Sequence, residues 1–256
     1  MATLFLLLTL AFEFQPPGVR GAATVAAAAG SWSSSQAFNP ALVAEVGRLA
    51  ASSGYCRPHG LAGVDRLRAI AGLGRDRPAF AAGVASLGFD RYRETDAWAA
   101  GSYQLSGWPA LGLGAHWLFV DQGGREVTGA PALDVGLLWE AGRFRLAAAG
   151  LALNRPNLGA AGTLRPRFVA GAEFCPVDEF RLGLDGRYQS GTASAALGCE
   201  FLLVPQLAIR AGVGTDPLRY GAGVGLRVGP VGLDYAYGFH PQLDATHSVE
   251  LAVAWD

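Results

Sequence analysis

From residue 180 to residue 255, apolar side chains recur at every second position. In the stretch from Val231 to Tyr237, Val231, Leu233, Tyr235 and Tyr237 share one face, while Gly232, Asp234 and Ala236 share the other. The last stretch repeats this, with Val249, Leu251, Val253 and Trp255 opposed to Ser248, Glu250, Ala252 and Ala254. Successive side chains of a strand point to opposite faces, so each segment carries one greasy face and one small or charged face. Many such strands joined by short turns predict an all-β, antiparallel transmembrane β-barrel, with lipid on the apolar set and the lumen on the other.

The same pattern places strands at 65–74, 77–90, 95–106, 108–120, 129–140, 144–154, 164–175, 179–188, 191–203, 207–214, 219–228, 231–237 and 247–255. That tally is odd, whereas single-chain bacterial barrels carry even numbers. A further strand is therefore expected between Val46 and Gly63, for about fourteen in all. Gly, Pro and Asp mark short turns at 141–143, 176–178, 204–206 and 229–230. Longer links are expected at 121–128, 155–163 and 238–246, the usual asymmetry between the periplasmic and outer ends of a barrel. Ahead of the strands, 1–30 reads as a secretory leader: an apolar core from Leu4 to Phe12, then Ala- and Gly-rich sequence, with no basic residue before the core. Residues 31–60, with a short amphipathic stretch over 40–51, read as a periplasmic N-terminal segment or plug, and 61–256 as the barrel.

Composition strengthens this reading. Hydrophobic residues make up 51% of the chain, yet no run of about 20 apolar residues exists to span a bilayer as a helix. Only helices and closed barrels satisfy their backbone in lipid, so hydrophobicity without helical spans favours a barrel. Gly is used 36 times, which suits tight turns and a crowded interior. The net charge of -1 excludes a nucleic-acid footprint and a polybasic surface patch. All the basic residues are arginine. Three cysteines, Cys56, Cys175 and Cys199, have no metal-like spacing, and the alternation assigns Cys175 and Cys199 to the outward face as small hydrophobes.

Two sets of residues are candidates for function. The lumen-lining set is Asp134, Glu140, Arg145, Arg167, Glu173, Arg181, Asp185, Arg187, Glu200, Arg210, Arg219, Arg227 and Asp234. Charge on the lipid face costs a few kcal/mol near the midplane, so these residues are expected inside. They make either a path for ions or solutes or a ladder of ion pairs that fixes strand register. The balance of signs favours the ladder. The second set, Trp98, Trp108, Trp117, Trp139, Tyr188, Tyr220, Tyr235, Tyr237 and Trp255, is placed at strand ends as an aromatic girdle.

Enzyme chemistry is not legible. His59, His116, His240 and His247 lack metal-ligand spacing, and His240, Asp244 and His247 read as a solvated loop. Ser190 and Ser194 have no neighbouring His in sequence, and the glycines over 221–225 lack the Lys and helix of a phosphate loop. No catalytic residue, metal or cofactor is expected.

The stretch Leu233-Asp234-Tyr235-Ala236-Tyr237, followed by Ala245-Thr246-His247-Ser248-Val249-Glu250-Leu251, resembles the closing strands of the PorV/PorQ-type family of FadL-like outer-membrane barrels. Asn39-Pro40-Ala41, Ala132-Leu133-Asp134-Val135-Gly136, 180–185 and 207–212 resemble further segments of that family. The resemblance runs from Asn39 to the end and implies about fourteen strands with a periplasmic plug. It also implies a docking, shuttle or scaffold role in protein export from the outer membrane of a diderm bacterium. Exported proteins or a secretion complex would then be its partners, besides outer-membrane lipid. Short loops depart from the family where cargo would dock. The alternative is a FadL-like transporter or pore for small or hydrophobic solutes.

Overall fold

The computed structural model describes residues 11–12, 19–24, 30–34, 36–74, 77–89, 91–104, 106–123 and 127–255. A short helix, α1 (Val19–Thr24), is followed by 3-10 turns at Trp32–Ser34 and Pro40–Glu45. The strands come next: β1 (Leu49–Arg57), β2 (Asp65–Gly74), β3 (Pro78–Phe89), β4 (Tyr92–Gln104), β5 (Ala110–Asp121), β6 (Thr128–Ala141) and β7 (Phe144–Leu151). The rest are β8 (Arg167–Val177), β9 (Phe180–Gln189), β10 (Thr192–Val204), β11 (Leu207–Gly214), β12 (Arg219–Val228), β13 (Val231–His240) and β14 (Leu243–Trp255). Each pairs antiparallel with its neighbour in sequence, and β14 returns to β1, so the sheet closes as a barrel without an edge.

The alternation becomes a burial pattern. Along β5 every even residue from Ala110 to Val120 is buried in the interior, and every odd one, Leu111, Leu113 and Trp117 among them, is exposed on the outer wall. A wall of exposed Leu, Val, Phe, Tyr and Trp suits a lipid solvent. No described helix is long and apolar enough to cross a membrane. Tight hairpins hold the strands in register. At the β9–β10 turn Ser190 and Gly191 both take positive φ, 55° and 88°, as a two-residue hairpin turn requires.

Several expectations are corrected. The barrel begins at Leu49, inside the segment expected over 31–60, because the further strand sought between Val46 and Gly63 is β1. The stretch over 40–51 is a 3-10 turn that hands over to β1, since Asn39 caps the turn and Val46 is already extended. The link expected at 238–246 is a tight turn: β13 runs to His240 and β14 starts at Leu243 across a register shift. The longest connection, 152–166, lies at the end of the barrel opposite Trp255. Most of the leader expected over 1–30 lies outside the described residues. Its described part, Ala11, Phe12 and α1, is largely buried inside the barrel.

Two N-terminal pieces occupy the lumen. The Pro40–Glu45 turn packs on β3 to β6, and α1 packs on β10 to β14. Phe38, Asn39, Ala41, Leu42 and Val43 are essentially without solvent contact.

Candidate functional site

Asn39 docks the first plug element. Its Oδ1 accepts from Ala41 N at 2.9 Å and its Nδ2 donates to the Leu137 carbonyl of β6 at 3.0 Å. This close approach needs bare backbone in the wall. A Cβ on Gly136 would fall on Asn39 Oδ1, and one on Gly112 would fall on the amide of Ala41. Apolar packing surrounds this contact, with Phe38, Leu42 and Ala41 against Ala110, Leu138, Ala147 and Val169. Val43 and Val46 pack against Ile70, Ala79 and Trp98 in the same way.

The second plug element is held by charge. Arg20 of α1 lies 2.9 Å from Glu200 and 3.9 Å from Glu173, and the Val19 amide donates to Glu250 at 2.9 Å. Glu200 also takes Arg210 at 2.6 Å, and Arg210 goes on to Asp234. Strand register sets these pairs: Glu200 stands between Arg181 and Arg210, and Arg145 between Glu140 and Glu173. Arg145 reaches Glu140 at 3.3 Å, Glu173 at 3.5 Å and Glu45 of the plug. Asp234 and Glu250 face each other directly across β13 and β14, an unfavourable match relieved by Arg210 on one and Arg68 on the other at 2.7 Å.

All thirteen residues of the lumen-lining set fall on inward positions of their strands, but they do not form one site. Glu140, Arg145, Glu173, Arg181, Glu200, Arg210 and Asp234 make the ladder just described. Asp185 pairs with Arg187 at 3.6 Å. Asp134 accepts from the Ala152 amide at 2.8 Å. Arg167 donates to the Ala37 carbonyl at 2.5 Å, and Arg167 and Arg187 both stand over the Phe38 ring, 5.4 and 4.7 Å from its centre. Arg227 sits exposed at the rim on the Trp255 side, and Arg219 lies at the opposite mouth.

Residues outside that set complete the interior. His116 stands between two buried carboxylates, with Nδ1 2.8 Å from Asp96 and Nε2 3.0 Å from Asp134. Gln36 of the plug donates to the other Asp96 oxygen at 3.1 Å. Arg66, Arg68, Glu94 and Glu250 are also buried inside. The signal for them is parity: they fall on even positions of β2, β4 and β14, opposite the outward odd positions.

Trp117, Trp139, Tyr188, Tyr220, Tyr235, Tyr237 and Trp255 all face outward and are at least 36% exposed. Trp98 is a correction: it is 4% exposed and faces inward beside His116, because it shares the inward face of β4 with Glu94 and Asp96. Cys175 is another. Two residues along β8 from Glu173, Cys175 shares its inward face, and its thiol lies 3.8 Å from Glu173. The loop histidines also separate. His240 meets His59 edge to face at 5.8 Å, whereas His247 bonds Tyr235 at 2.8 Å on the outer wall. No group of three metal-ligating side chains occurs among the described residues. Burial lowers the His59 pKa below its ordinary value, and the nearby His240 adds to this.

At the mouth away from Trp255, the lumen opens into a cavity of about 740 Å³ between the 152–166 connection and the ends of β8, β9, β10 and β12. Beneath it lies a pocket of about 30 Å³, lined by His116, Asp134 and Phe12.

Three solved structures share this architecture. The monoaromatic hydrocarbon channel CymD aligns with a TM-score of 0.74 at 12% identity, over 96% of this chain and 99% of that one. The fold is that of the FadL-like barrels. A FadL homologue from Pseudomonas aeruginosa gives 0.73 at 12% identity over 96% and 100% of the two chains. The toluene transporter TodX from Pseudomonas putida gives 0.71 at 10% identity over 96% and 98%. No family model matches the chain, and no curated protein does.

Proposed function

We propose that this chain is a non-enzymatic outer-membrane channel that passes small or hydrophobic solutes around an N-terminal plug. The observation that carries the reading is a closed barrel of this fold with its own N-terminal residues docked in the lumen. Likeness to a hydrocarbon channel, a FadL homologue and a toluene transporter across nearly the full chain supports it. The test is uptake of labelled toluene by a diderm host that lacks its own channel of this kind. Uptake by cells carrying the chain, altered by Gly136→Val, supports the proposal. No uptake by either form sinks it.

The reading from the resemblance, docking or shuttling of exported proteins, calls for a receiving surface. At the mouth the 152–166 connection is the element long enough to supply one. Crosslinking of a tagged copy in purified outer membranes separates the two readings. Recovery of exported proteins with a common terminal domain favours docking, and recovery of the barrel alone favours transport.

A further inference from the structure

The ladder below the mouth is balanced, with Arg20, Arg68, Arg145, Arg181 and Arg210 each within salt-bridge distance of a carboxylate. The mouth is not balanced. Among the described residues, its cavity is lined by Arg165, Arg167, Arg187 and Arg219 against one lining carboxylate, Asp216. Asp185 lies deeper on the same inward face of β9, paired with Arg187 and covered from the cavity. Arg219 Nε is buried with no hydrogen-bond partner among the described residues. Like charges gathered in a cavity with low-dielectric walls concentrate their field, and that field attracts counter-charge.

We propose that this mouth is a binding site for a multiply charged oxyanion of the phosphate-ester or polycarboxylate class. Guanidinium forks match such oxygens two at a time. The hydroxyls of Ser190, Thr192 and Ser194 line the same cavity and add donors of the right kind. A volume of about 740 Å³ is ample for a small metabolite-sized ligand. A bound anion also touches the plug indirectly. The arginines that face the cavity, Arg167 and Arg187, are the ones that flank Phe38, and Arg167 holds the Ala37 carbonyl. The inference stands apart from what the barrel passes, because binding at the mouth is measured without transport.

The experiment is calorimetric titration of the purified full chain, in a neutral detergent, with inorganic pyrophosphate and with octanoate. Pyrophosphate is expected to bind at least about tenfold more tightly than octanoate. Arg165→Gln and Arg219→Gln are each expected to weaken it about tenfold. Arg93→Gln, an equal change of net charge on the outer wall of β4, leaves it unaltered. Arg165 is exposed on the connection, so its variant folds, and Arg219→Lys retains part of the affinity by keeping the charge. Displacement of pyrophosphate by a short-chain phosphatidic acid assigns the oxyanion to a lipid headgroup, and resistance to it assigns a soluble ligand. The proposal is overturned if pyrophosphate does not bind, if octanoate binds as well, or if Arg93→Gln weakens binding as much as Arg219→Gln.

Discussion

The two sides of the barrel hold their plug elements by different physics. On the β3–β7 side, the turn at Pro40–Glu45 sits in an apolar socket and touches bare backbone at Gly112 and Gly136. On the β8–β14 side, α1 has a small apolar contact through Val19 and Ala23 against Ala236, and is otherwise tied by Arg20 and the Val19 amide to buried carboxylates. Apolar contact is non-directional and tolerates volume-conserving change, so its weak point is space. A buried ion pair is directional, and its weak point is the loss of one partner, which leaves a charge stranded. Shape dominates the docking of one side, with Glu45 tied to Arg145 and Gln36 to Asp96 as its polar contacts, and charge pairing dominates the other.

The largest expected effect breaks the apolar side. Gly136→Val puts a side chain where Asn39 Oδ1 lies, so the plug must leave its socket while the barrel remains closed. Limited proteolysis should then cut between 30 and 48, with the heat-modifiable mobility of the folded barrel retained. An uncut plug would show that the wall yields instead.

The charged side should answer next. Glu250→Ala strands Arg68 and removes the acceptor of the Val19 amide, at a cost of about 3–5 kcal/mol in unfolding titrations. The double change Arg68→Met and Glu250→Met should cost much less, because no charge is left buried alone. Equal costs for both would mean that the pair acts through packing.

A smaller effect sharpens the contrast. Asn39→Ala removes a cap and one bond to the wall but leaves the apolar socket whole, for about 1–2 kcal/mol. Thermal unfolding in detergent reads it. A loss as large as that of Glu250→Ala would make Asn39, rather than the greasy contact, the anchor.

The smallest effect lies outside the lumen, at the β1–β2 connection. Burial lowers the His59 pKa from 6.5, so the folded rim binds fewer protons than the unfolded chain. Stability from this group is therefore complete above about pH 6.5 and is lost as pH falls below it. Amide exchange at 58–60 should quicken on acidification, and His59→Gln should flatten that dependence.

Much of this was legible in the chain. Strands β2, β11 and β12 match the alternation residue for residue, and the odd tally calls for the strand that β1 supplies. The thirteen inward charges follow from the same parity. Where the reading failed, residue type was preferred to parity: Trp98 stands two residues from the inward Asp96, and Cys175 two from the inward Glu173. Trp98 looks like a girdle residue in sequence, but its strand turns it toward His116. Cys175 likewise follows Glu173 to the inward face of β8.

Sequence by itself determined the architecture, because a period of two residues is written into each strand separately and decides which side chains meet lipid. Tertiary structure alone decided the partners. Whether Arg145 meets Glu173, whether Gly136 meets Asn39, and whether four arginines gather at one mouth depend on register and closure around the whole ring. Register joins residues far apart in the chain, and no short stretch of sequence contains it.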